Sequence, residues 1–268
     1  MPLHRLARAG LFVLAIPLVF ALWNAAHVAL RLAPGGVAAL AADAFATAAV
    51  LALLAGAGAA LSREGPTARL GLRAGRMGGG TMALAAIGLL GLSHAVEGLV
   101  SIAGIAESAT LARFAATLAD AGAGELLLAV LAFTLGSAVA EELLFRGLVQ
   151  RGLEGVVGAA GAIGVTALAF GAAHADLVHA AAALPLGIYL GVLAWLDGSI
   201  RPALVAHAAN NAVAVLEAGA GFRLPEGGLL ALASIGVGLA IAAYGLRAAV
   251  RCAAPHRAEA SPPPAPLP

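Results

Sequence analysis

The feature that most constrains this chain is the recurrence of apolar runs long enough to cross a bilayer. A helical span needs roughly 20 mostly apolar residues. The 268-residue sequence offers eight such runs, at about 10–30, 37–61, 81–104, 127–149, 160–178, 180–197, 202–219 and 227–248. Lipid supplies no hydrogen-bond partner to an open backbone, so spanning segments must be helices or strands of a closed barrel. Runs of this length select helices. Composition agrees: 62% of residues are hydrophobic and 11% charged, where soluble domains hold about 45–50% apolar residues. Alanine and glycine dominate, and small residues let membrane helices pack closely. The expected fold is an all-α, polytopic transmembrane helical bundle of about eight spans. The runs 160–178 and 180–197 nearly touch, so seven spans stay open.

Charge sets the expected orientation. All 15 basic residues are arginine. With the N-terminus inside, the inner segments hold Arg5 and Arg8, the group Arg63, Arg69, Arg73 and Arg76, then Arg146, Arg151, Arg201, Arg247, Arg251 and Arg257. The outer segments hold Arg31, Arg113 and Arg223. This asymmetry predicts N-in and C-in by the positive-inside rule. The stretch from Arg63 to Arg76 reads as a topology signal and a contact for anionic lipid. The first run follows His4, Arg5 and Arg8, but it exceeds the about 7–15 residues of a signal-peptide core and reads as a retained anchor. The expected organisation is spans 1–3 with their loops over 1–124, a core of spans 4–7 over 125–218, a last span over 219–250, and a disordered Pro-rich cytoplasmic tail over 251–268. A lone cysteine, Cys252, excludes a disulfide framework. The net charge of +1 gives no sign of nucleic acid.

Ionisable residues inside spans are costly and usually mark function. Here they are Asp43, His94, Glu97, Glu141, Glu142, His174 and His207, with Arg146 near an inner end and His179 at a span edge. Asp43, near an outer end, is expected to be solvated. Glu142 and Arg146, Phe170 and His174, and His207 and Asn211 are each i,i+4 pairs and share a helix face. Glu141 is rotated about 100° from Glu142, so the two carboxylates address different neighbours. The midpoint between Glu141 and His174 falls near 157–158, in the glycine-rich stretch RGLEGVVGAAGAIG, which suits a hairpin turn. Residues equidistant from such a turn lie at similar depth, so Glu141 is expected to face His174. Arg146 can neutralise Glu142, leaving Glu141 and His174 to hold and deprotonate a water. His207 and Asn211 offer N–H donors for an oxyanion. Taken alone, each pair also has a plain structural reading, as a helix-end salt bridge or an interhelical hydrogen bond. His94 and Glu97, i,i+3, add a polar wall to the third span.

The ordered set of boxes resembles the CAAX-processing and bacteriocin-immunity (CPBP) family of intramembrane proteases, which includes the type II CAAX prenyl endopeptidases and lysostaphin-resistance-like proteins. The family pattern EExxxR, FxxxH, HxxxN reads here as Glu141-Glu142-Leu-Leu-Phe-Arg146, Phe170-Gly-Ala-Ala-His174 and His207-Ala-Ala-Asn-Asn211. The resemblance covers about residues 125–215. It implies an endopeptidase in which Glu141 is the general base, His174 holds the water with it, and His207 and Asn211 stabilise the oxyanion. Glu142, Arg146 and Phe170 would then be supporting residues. A mechanism without metal is favoured. The alternative is a zinc or other divalent ion on Glu141, His174 and His207 with water in the fourth position. The expected partners are the bilayer and a membrane-associated protein or peptide substrate. Arginine without lysine suggests a GC-rich bacterial genome and hence the bacterial inner membrane, where prenylated CAAX substrates are not expected. The competing reading is a non-enzymatic membrane scaffold, immunity or transport protein that uses the same polar groups to bind an ion or partner.

Overall fold

The apolar runs fold as helices whose ends fall where the sequence supplies glycine, proline or a capping side chain. The computed structural model describes residues 35–62, 64–104, 109–174, 176–222 and 228–260, and among them every regular element is helical. In chain order these are α1 (Val37–Ala60), α2 (Pro66–Arg69), α3 (Gly79–Ile102), α4 (Ala109–Leu118), α5 (Ala123–Leu131), α6 (Val139–Glu141), α7 (Arg151–Ala172), α8 (Leu177–Asp197), α9 (Arg201–Gly219) and α10 (Gly228–Ala260). Wide π-helical turns fill Ala132–Ala138 and Glu142–Gln150, on either side of α6. The chain stays helical from α5 until Gly158, where φ is 72° and ψ 171°. An L side chain rarely adopts that backbone, and the chain folds back there. Residues equidistant from Gly158 meet: the Arg146 guanidinium sits 4.4 Å above the Phe170 ring, and the neighbouring Phe145 ring lies 5.4 Å from that of Phe170. The hairpin turn expected near 157–158 is in place.

Five helical stretches are long and apolar enough to cross a membrane: Val37–Ala60, Gly79–Ile102, Ala123–Ala172, Leu177–Asp197 and Gly228–Ala254. The chain is an integral multi-pass membrane protein. The third stretch contains both arms of the hairpin, the expected run 127–149 and the expected run 160–178 as far as Ala172. The expected count of eight is not reached among the described residues. The run at 10–30 lies outside them. The run at 202–219 is the helix α9, but Arg201, His207, Asn210, Asn211 and Glu217 make it too polar to count among the five. The runs 160–178 and 180–197 are distinct helices, because Asp176 Oδ1 accepts the His179 backbone N–H at 2.9 Å and starts α8 afresh. At the other end α10 continues to Ala260, past the expected end near 248–250 and into the stretch expected to be a disordered tail. Asp43 on α1 is partly buried rather than solvated.

Small residues set the helix spacing. A Cβ on Gly91 of α3 would lie 2.7 Å from the Gly238 carbonyl of α10, and one on Gly98 would lie 2.8 Å from the Ala231 carbonyl. The α3–α10 crossing is therefore closer than any larger side chain permits. Gly187 and Gly191 of α8 likewise leave room for Phe170 and Gln150. Leu53, Leu135, Leu168 and Leu232 point outward, as a lipid-facing surface requires.

One end of the bundle is tied together by arginines. Arg69 donates to the Leu148 carbonyl at 3.0 Å, Arg76 to Leu196 at 2.9 Å, Arg151 to Gly198 at 3.1 Å and Arg201 to Leu72 at 3.0 Å. Asp197 Oδ1 accepts the backbone N–H groups of Arg76 and Met77 at 2.7 and 2.6 Å. The segment read as a topology signal is thus also a clamp across the α8–α9 turn.

Candidate active site

The helix that carries the two carboxylates is locally unwound, and the sequence explains why. Thr134 Oγ1 donates to the Val130 carbonyl at 2.6 Å, four residues back. Such back-bonding competes with the helix's own N–H and bends it. Gly136 and Ser137 follow immediately, a pair that kinks helices. Asn211 on α9 donates its Nδ2 to the Phe133 carbonyl at 3.0 Å, pinning the wide turn to the helix that carries His207. π-turns are uncommon and cluster at functional sites. Here they lie on either side of Glu141, and Glu142 opens the second.

These two neighbours occupy different environments. The Glu142 side chain is 0% exposed. Its Oε1 accepts Arg146 Nη1 at 2.7 Å, the i,i+4 pair expected from the sequence, and His207 Nδ1 at 2.8 Å. Arg146, also 0% exposed, sends Nη2 to the Gly187 carbonyl at 3.1 Å and stacks on Phe170. Glu141 is 20% exposed, and its Oε2 lies 3.8 Å from His207 Nε2. His207 therefore stands between the carboxylates, one ring nitrogen on each side.

The sequence sets Glu141 at the depth of His174; the contact seen at Glu141 is with His207. Equal distance from the turn fixes depth but not direction around the helix. His174 Nδ1 is drawn to the Phe170 carbonyl at 2.9 Å, and its ring meets Phe170 edge-on at 5.1 Å. Phe170 also meets His207 edge-on at 5.7 Å. Phe170 is thus the wedge that sets both imidazoles. Among the described residues, no three His, Cys, Asp or Glu side chains gather as a metal-binding group. Glu142 takes one His207 nitrogen and Phe170 one of His174, which leaves the Nε2 of each ring to water, substrate or a metal ion, since a metal-bound histidine commonly engages its second nitrogen in this way.

Four participants were not named as site residues from the sequence. Gln150 continues the four-residue step of Glu142 and Arg146, and its Nε2 donates to the Gly191 carbonyl at 3.0 Å and to Glu154 Oε1 at 3.2 Å. That spacing was visible. Gly187 and Gly191, acting through their carbonyls, gave no such signal. His179 packs against His174 with ring centroids 4.2 Å apart. Away from this centre, His94 and Glu97 gain a third member, Glu217 of α9, each contact being 3.4 Å.

A multi-pass helical membrane protein with a sealed Glu–Arg–His network and an accessible glutamate beside it is the class that fold and site define. Residues 123–213 match the family model described as Type II CAAX prenyl endopeptidase Rce1-like. The match covers 91 of the 268 residues and is consistent with the CPBP resemblance. The match runs from α5 into α9 and includes every site residue above. No curated protein and no solved structure matches the chain.

Proposed function

We propose that this protein is an intramembrane endopeptidase that hydrolyses a peptide bond of a membrane-associated protein or peptide. The observation that carries this reading is the unequal treatment of two adjacent carboxylates, Glu142 sealed and doubly bonded, Glu141 open and beside an imidazole. Glu141 takes a proton from water as the water oxygen attacks the scissile carbonyl carbon. His174 donates an Nδ1–H hydrogen bond to the Phe170 carbonyl and keeps Nε2 to accept from, and so orient, that water. In its cationic form His207 donates Nδ1–H to Glu142 and holds Nε2–H for the oxyanion. Asn211 spends one amide N–H on Phe133 and retains the other. As the C–N bond breaks, the proton on Glu141 passes to the leaving amine. Glu142 and Arg146 hold His207 in place. The arginine-clamped end faces the cytoplasm of a bacterial inner membrane, and the substrate is a membrane-proximal segment without need of a prenyl group.

Cleavage of membrane-proximal peptides by the purified protein in bilayers tests this, comparing wild type with Glu141→Gln and His174→Ala, each with and without a chelator. Loss in both variants with no chelator effect is the expected result. Activity abolished by chelator and restored by zinc establishes a metalloprotease instead. A membrane scaffold, immunity or transport protein built on the same network tolerates Glu141→Gln without change.

A further inference from the structure

Hydrolysis within a bilayer consumes one water per bond, and the site lies among apolar helices. Besides His179 Nδ1, which packs on His174, four buried polar atoms on the two arms of the hairpin have no protein partner: Glu142 Oε2, Arg146 Nε, Gln150 Oε1 and Thr166 Oγ1. Their residues are 0–1% exposed. Nearly all buried polar atoms in folded proteins have a partner, and internal water supplies it where protein does not.

These atoms lie in order. Glu142, Arg146, Gln150 and Glu154 recur every fourth residue and so follow one face of the arm. Direct bonds join Glu142 to Arg146 and Gln150 to Glu154. Thr166 is as far from Gly158 along the chain as Gln150 is, just as Phe170 matches Arg146, so the hairpin register that stacks Arg146 on Phe170 sets Thr166 at the level of Gln150. The column begins at the sealed carboxylate and ends at Glu154, which is only partly buried and sits by the arginine clamp. Bonds from Arg146 and Gln150 to Gly187 and Gly191 account for some of the polar groups as a ladder between helices. They leave the four atoms unexplained.

We propose that this column is a water-binding channel, with Gln150 and Thr166 as its positioning residues, linking the site to the arginine-clamped end. As a supply line it rests on the protease reading; as a hydrated column it does not, and the test separates the two. Purified full-length protein in bilayers is exposed to radiolytically generated hydroxyl radical, which labels side chains beside bound internal water. Wild type, Thr166→Val and Gln150→Met are compared, with the exposed Tyr244 as internal reference, and peptide cleavage is followed in parallel. The channel predicts labelling of buried Phe145 and Phe170 in wild type, a several-fold fall in both variants, and a several-fold fall in kcat with KM unchanged. Thr166→Val separates this from packing, because replacing an unpartnered buried hydroxyl by a methyl leaves a dry core unharmed or more stable. Unlabelled Phe145 and Phe170 in wild type, or labelling unchanged in Thr166→Val, overturns the proposal. Labelling that falls as expected while wild type cleaves nothing retains the hydrated column and removes the protease reading.

Discussion

Two places in the helical bundle join one histidine to two glutamates, and they are built differently. At Glu141, Glu142 and His207 the central bond is 2.8 Å, the sealed carboxylate also accepts an arginine, and the side chains are 0–20% exposed. At Glu97, Glu217 and His94 both contacts are 3.4 Å, the side chains are about a third or more exposed, and no arginine is among the contacts. The same residue types therefore make a rigid charged centre in one case and a loose polar contact in the other. The cause is desolvation: a buried carboxylate persists only where a cation and hydrogen bonds replace its water. Glu142 has both. Glu97 and Glu217 keep part of their solvent access and need neither.

The contrast is sharpest at Glu141. Glu141→Gln keeps shape and removes the proposed base, so kcat for peptide cleavage should fall by about 10²–10⁴-fold, with thermal unfolding unchanged. A variant that cleaves normally places the two clusters on the same non-catalytic footing.

Next in size is Arg146→Met, which leaves the Glu142 charge buried beside His207 without its arginine. Removing one partner of a buried pair costs about 3–5 kcal/mol, read as a lower unfolding midpoint in detergent. Adding Glu142→Leu to Arg146→Met should recover part of that loss, because it removes the stranded charge. If the double variant is no more stable than Arg146→Met alone, the Glu142–Arg146 pair is not what makes this centre rigid.

A smaller effect is expected at Asn211, which bridges structure and chemistry. Asn211→Ala should lower kcat by about 10²-fold through the lost oxyanion donor. It also frees the Phe133 carbonyl in the wide turn, so a measurable drop in stability should accompany it. Loss of stability with cleavage intact would confine Asn211 to the turn.

Much of this was legible in the sequence, for reasons that differ by element. Long apolar runs report helices because a membrane interior leaves the backbone no other choice. The hairpin was legible because the midpoint between Glu141 and His174 falls in a glycine-rich stretch, where Gly158 takes the turn. The Glu142–Arg146 pair followed from spacing alone. Direction around the helix was harder to read. Depth from the turn pointed to His174, whereas the contact of Glu141 with His207 depends on the π-turns around α6 and on Phe170, and neither is a periodic signal. The polar character of α9 also blurred the count of spans, because a helix packed among others tolerates Glu217 and Asn211 where a lipid-facing one does not. Glu217 itself was invisible as a partner of His94, since the two meet only through the packing of α3 against α9.

The smallest predicted effect tests the loose cluster directly. Glu217 lies ten residues beyond His207 on α9, about 15 Å along the helix axis, so its contact to His94 touches the site only if α9 moves as a rod. Exposed ion pairs contribute about 0–1 kcal/mol, and at 3.4 Å with this much exposure Glu217→Gln should shift unfolding barely and leave cleavage unaltered. Ser234 of α10 also donates to the His94 carbonyl at 2.8 Å, so the backbone of α3 stays tethered whether or not the side-chain contact survives. A clear fall in kcat with Glu217→Gln means that α9, and with it His207 and Asn211, is held in register from the loose cluster. The two clusters would then be parts of one device, and burial alone would no longer distinguish the working site from the idle one.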